Sequence, residues 1–168
     1  MKAAALASGL ALFLAGCATM APQGLVLDAD GLAPRGSSLR VDFGRAQDGA
    51  VAAVSSLLGR PPASTRPVEE CGAGPITMVG WDSGLTLLFR DGDFEGWLWM
   101  PGRPAAAQVT TASGLAPGDS RAEAAGLPDV RFVPTTLGDE EFVAGGLGGL
   151  IEDGAVTNLW AGATCFFR

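Results

Sequence analysis

Two Asp-Gly dipeptides, Asp91-Gly92 and Asp153-Gly154, each set between apolar, β-forming runs, constrain this chain more than any other feature. A two-residue turn with positive φ at both central positions suits Asp-Gly, and its twist matches that of the strands it joins. Each dipeptide therefore predicts an antiparallel hairpin: 85–90 with 93–100, and 150–152 with 155–161. The two segments align without gaps at a constant spacing of 62 residues: Leu85 over Leu147, Leu88 over Leu150, Phe89 over Ile151, Phe94 over Val156. That match predicts an internal repeat, with chance likeness between two hairpins as the alternative.

Helical signals precede each hairpin at a distance. Val51, Val54, Leu57 and Leu58 recur at helical spacing over residues 46–58, and Gly59 with Pro61-Pro62 stops the run. Ser120 can cap a short helix over 121–125 that Gly126 and Pro128 end. Residues 75–82, 130–134 and 141–144 read as further strands, 60–74 as a long loop and 101–108 as linker, while 164–168 ends the sheet. The expected fold class is therefore α+β: two tandem helix-plus-antiparallel-hairpin repeats, about 37–108 and 109–168, forming one sheet covered by short helices on one face.

The N-terminus carries Lys2, an apolar run over 3–14 and small residues before a cysteine. That is the charged, apolar and small-residue order of a secretory signal, and the run is far short of the roughly 20 residues needed to span a bilayer. Leu14-Ala15-Gly16-Cys17 resembles the lipobox of bacterial lipoproteins. The resemblance implies removal of residues 1–16, acylation of Cys17, and a tether over 17–36, with room for a short strand at 25–27, that holds a single domain, 37–168, to a membrane. Ala18, rather than Asp, after the cysteine implies the outer membrane, on its periplasmic face. A second, ten-residue likeness lies at Gly114-Leu115-Ala116-Pro117-Gly118-Asp119-Ser120-Arg121-Ala122-Glu123. It resembles the helix start of β-lactamase-inhibitor-protein-like domains and outer-membrane assembly lipoproteins, which implies binding or scaffolding and carries no catalytic residue.

Losing Lys2, the only lysine, moves the formal charge from −7 to −8. A chain this acidic lacks the basic patch that nucleic acid needs. With no histidine and no tyrosine, histidine-dependent triads, the commonest zinc ligand and phenolic acid–base chemistry are all removed. Cys71 and Cys165 remain, and in an oxidising compartment two thiols in one small domain pair. Such a bridge, closing most of the domain, contributes about 4–5 kcal/mol in the chain-entropy model; free thiols or a metal pair are the alternatives.

Trp97 and Trp99 alternate with Leu98 and so share one sheet face. They are candidate partner-binding residues, or a carbohydrate platform, if exposed, and core if buried. The acidic pairs Glu69-Glu70, Asp91/Asp93, 139–141 and Glu152-Asp153 could supply a hydrolase's two carboxylates but sit where turns want charge. Asp28-Ala29-Asp30-Gly31 starts like a calcium loop yet has Leu39 where the closing Glu belongs, so a solvated turn is expected. Gly145-Gly146-Leu147-Gly148-Gly149 lacks the strand-then-helix setting of a phosphate loop and suits close packing. The expectation is a lipid-anchored periplasmic module without cofactor or metal that binds an envelope protein and catalyses nothing. A ligand-binding aromatic face is the alternative, and a carboxylate hydrolase on envelope polymers the remote one.

Overall fold

The computed structural model describes residues 24–72, 74–102 and 108–166. Cys17 and residues 1–16, the expected signal segment, lie outside the described residues.

The chain runs β1 (Leu25–Asp28), β2 (Gly31–Pro34), β3 (Val41–Asp42), α1 (Gln47–Leu58), β4 (Ser64–Val68), β5 (Ile76–Gly80), β6 (Leu85–Arg90) and β7 (Asp93–Trp99). It continues through β8 (Val109–Thr111), α2 (Arg121–Ala125), β9 (Arg131–Val133), β10 (Glu140–Ala144), β11 (Leu147–Glu152) and β12 (Ala155–Gly162). Eight strands form one sheet in the order β4-β5-β6-β7-β12-β11-β10-β9, and four form a second, β3-β2-β1-β8. The larger sheet is two antiparallel meanders joined where β7 pairs with β12, Trp97 opposite Ala161 and Trp99 opposite Leu159.

These two sheets overturn the α+β expectation. Strand makes up 44% of the described residues and helix 13%, so the protein is essentially all-β rather than a set of helix-plus-hairpin repeats in one sheet. The missed strands explain the error. Within the expected tether only a short strand at 25–27 was foreseen, whereas β1 and β2 form a hairpin there, and Leu25, Leu27 and Leu32 are completely buried. β4 lies in the expected loop and β8 just beyond the expected linker, whereas 163–166 holds no strand. Pieces of two to five residues, broken by Gly or Pro, are too short for a period to register and exist because distant partners complete their ladders.

The Asp-Gly turns form as their chemistry requires, with φ of 52° and 88° at Asp91-Gly92 and 50° and 77° at Asp153-Gly154. Each hairpin also breaks register at the same place, between Leu88 and Phe89 and between Leu150 and Ile151. Each turn then receives a helix start. The Gln47 N–H donates to the Gly92 carbonyl at 2.8 Å, and the Arg121 N–H donates to the Gly154 carbonyl at 2.9 Å. Ala46, which offers no side-chain cap to α1, is thereby bridged to Asp93. α2 has in addition a full capping box between Ser120 and Glu123, the reciprocal arrangement that satisfies two otherwise orphaned N–H groups.

One apolar cluster joins the layers. Ala50, Val54 and Leu58 of α1, at a four-residue spacing, pack with Leu25, Leu27 and Leu32 of the small sheet and with Leu87, Trp97, Trp99 and Leu159 of the large one. Gly59 ends α1 in the left-handed conformation (φ 67°), its N–H reaching the Ser55 and Ser56 carbonyls.

Candidate functional site

Strand alternation turns Leu87 and Trp97 to the core, which leaves Met78, Leu88 and Leu98 on the opposite face of the large sheet. There a second apolar cluster forms from Cys71, Ile76 and Leu88, with Val68, Met78, Leu98 and Cys165 packed against it. The segment 163–166 crosses this face as a strap. The Ala163 N–H donates to the Glu95 carbonyl at 2.8 Å, and the Phe166 ring meets Trp160 edge-on at 5.0 Å. Gly96 makes the crossing possible, because a Cβ there would lie 2.2 Å from the Ala163 carbonyl oxygen.

Between strap and sheet edge lies a cleft of about 250 Å³. Its floor is Met78, Leu88 and Leu98, its wall Cys165 and Phe166, and its charged rim Arg66 and Glu70. The Arg66 guanidinium stands over the floor, donating to the Met78 sulfur at 3.6 Å. The arrangement suits an apolar group whose polar end meets a rim of both charges. A second cavity of about 250 Å³ between the β1–β2 and β10–β11 turns is lined mainly by small and apolar residues such as Leu27, Leu127 and Leu147.

The structure brings Cys71 and Cys165 together as unbonded thiols in one apolar cluster. Cys71 is buried, and its thiol also reaches the Thr164 carbonyl at 3.7 Å. Burial, followed by the Cys71 contact, pushes the Cys165 thiol up to about 11, against weaker opposing pulls from the Gly72 backbone and Arg66. Neutral pH thus leaves it protonated and a poor nucleophile. No group of three metal-ligating side chains occurs among the described residues.

Trp97 and Trp99, the candidate partner-binding pair, are not on the surface. Trp97 is completely buried and Trp99 3% exposed, and their indole N–H groups donate inward, to the Asp28 and Ser83 carbonyls. Trp81 and Trp160 are buried as well, so a carbohydrate platform has no indole to stand on. Three of the acids hold turns or arginines. Asp139 accepts from the Asp153 N–H, Glu140 holds Arg121, and Asp28 holds Arg40 and accepts from the Asp30 N–H, closing the turn that starts like a calcium loop. Sequence reading placed Met78 and Leu98 on strands but saw no site in them, and it put Arg66 in a loop. For Leu98 the signal is its alternation with Trp97 and Trp99, and for Arg66 the alternation Ser64, Arg66, Val68 on β4, which Pro67 obscures.

No family model matches the chain, and no curated protein or solved structure is similar to it.

Proposed function

We propose that this chain is a lipoprotein held on the periplasmic face of the outer membrane, where its domain binds or scaffolds another envelope component without catalysing a reaction. The observation that carries the reading is Leu14-Ala15-Gly16-Cys17 behind an apolar run, standing eight residues ahead of the first strand at Leu25. Two or more acyl chains on one residue anchor a protein where a single chain binds only marginally. The binding surface is the strap-walled cleft, which offers an apolar floor and a rim carrying one guanidinium and one carboxylate. In that compartment Cys71 and Cys165 form a bridge, two electrons and two protons passing to a protein disulfide that is reduced in exchange.

Intact-cell crosslinking tests the reading. A photoreactive residue at Met78 or Leu98 is expected to capture a discrete envelope component, and one on exposed Glu152 is not. Mass spectrometry of the same preparation is expected to find fatty acids on Cys17. Recovery of bulk lipid and peptidoglycan alone would overturn the partner, and an unmodified Cys17 would overturn the anchor.

A further inference from the structure

The way the chain enters the fold determines which part of the domain an anchored Cys17 holds nearest the bilayer. β1 begins at Leu25 and pairs antiparallel with β2, Leu25 opposite Pro34, so the incoming chain and the outgoing end of β2 share one end of the small sheet. The Arg35 N–H donates to the Gly24 carbonyl at 3.1 Å, fixing the two together. Six residues, Ala18–Gln23, separate Cys17 from Gly24, a span of about 25 Å at full extension and less otherwise.

The loop that leaves this end, residues 35–40, is exposed throughout. The Ser37 N–H donates to the Pro34 carbonyl at 3.2 Å and the Leu39 N–H to the Ser37 hydroxyl at 3.0 Å. Folded on itself in this way, the loop presents Leu39 outward. At 73% exposure Leu39 stands far clear of Met100, at 39%, the other large apolar side chain exposed among the described residues. Charge at the two ends of the loop differs. Arg40 is committed to Asp28 and Asp42, the acids closest to it. Arg35 makes no ion pair among the described residues, and its guanidinium lies across the root of the tether, Nε 3.6 Å from where a Cβ on Gly24 would sit.

We propose that this loop is the domain's contact with the lipid surface, Leu39 entering the boundary between headgroups and acyl chains and Arg35 resting on the phosphates. The proposal rests on the acylation of Cys17. One apolar side chain and one guanidinium are too little to recruit a free domain of net negative charge. They suffice once a short tether makes the second contact intramolecular, at an effective concentration in the millimolar range. The contact would orient the domain, holding one end of the small sheet against the bilayer.

Bilayer depth is read from an indole placed at the tip. The acylated full-length protein is reconstituted in phosphatidylethanolamine–phosphatidylglycerol vesicles with brominated acyl chains, as Leu39→Trp or as Asp30→Trp. Asp30 is exposed at the turn of the same hairpin, the length of a four-residue strand away, about 13 Å. Against the parent's four buried tryptophans, the indole from Leu39→Trp is expected to shift to the blue and lose emission to bromine. The indole from Asp30→Trp is expected to keep its emission, and adding Arg35→Glu to Leu39→Trp to weaken the loss. Protein that floats with the vesicles while both indoles stay equally bright, or equally quenched, overturns the contact and leaves the anchor standing. Protein that does not float overturns both.

Discussion

The indole N–H of Trp97 donates to the main-chain oxygen of Asp28 at 2.8 Å, joining the middle of the large sheet to the tip of the hairpin that opens the small one. Trp97 lies on β7 beside the seam between the two meanders, and Asp28 is the last residue of β1. A buried indole needs an acceptor, and meeting that need sets where the small sheet lies over the large one. The residue that sequence reading offered as a partner platform thus holds the two layers in place.

Replacing Trp97 by Phe should therefore weaken the contact between layers. It removes buried volume and the hydrogen bond to Asp28 together, an expected loss of about 2–4 kcal/mol. Urea unfolding followed by far-ultraviolet circular dichroism measures it. A change under 1 kcal/mol would show that the indole is not what places the small sheet.

Gly148 and Gly149 tolerate no side chain. A Cβ on Gly148 would lie 2.4 Å from the Trp160 ring, and one on Gly149 would lie 2.3 Å from the Phe142 ring. Neighbouring glycines of β11 thus receive one aromatic ring each, on opposite faces of the sheet. Either change to Ala should cost about 1–3 kcal/mol or more through overpacking. Gly145→Asn, in a left-handed turn (φ 54°) with nothing within 4 Å of its Cβ, should be nearly neutral, as thermal midpoints will report.

Acid should erase the contribution of the Arg40 clamp. Arg40 donates to both carboxylate oxygens of Asp28, at 2.7 and 2.8 Å, and holds that carboxyl below its usual value of 3.8. A carboxyl depressed in the folded state stabilises the fold above its unfolded value, and that stability is lost as pH falls through the folded one. Both side chains reach solvent, so Arg40→Gln should cost no more than about 1 kcal/mol at pH 7. The gap from the parent should close below pH 4 in a series of denaturation curves. A gap that persists at pH 2 would assign the loss to packing instead.

The thiol pair makes a two-part prediction. Protein taken from an oxidising compartment should resist alkylation after denaturation until reductant is added, and reduction should lower stability by about 4 kcal/mol. In the reduced native protein, alkylation of Cys165 should be slow at pH 8 and rise toward about 11, where its thiol titrates. Two alkylated cysteines without reductant would refute the bridge, and rapid labelling at pH 8 would refute the half-buried, protonated thiol.

Local chemistry was readable wherever a few neighbouring residues decide the backbone. Asp91-Gly92 and Asp153-Gly154 dictated their turns, Ser120 with Glu123 its cap, and Gly59 the end of α1, because each works through hydrogen bonds or φ values within about four residues. The two hairpins β6–β7 and β11–β12 of the large sheet followed from those turns. The small sheet did not. Leu25 is opposite both Pro34 and Val109, and a strand of four residues becomes one only when a partner 84 positions away completes it.

The same divide runs through the candidate site. The sequence by itself determined the lipobox-like Leu14–Cys17 segment, the acidic charge, the absence of imidazole and the two remaining cysteines, since these are facts of covalent composition. Only the tertiary structure decided that Trp97 and Trp99 point inward, that Cys71 packs with Cys165 of the strap, that Arg35 lies across the incoming chain, and that Leu39 stands exposed on the loop that follows it. Which side of a two-sided sheet is covered depends on layers supplied from elsewhere in the chain, and strand alternation is identical on both faces.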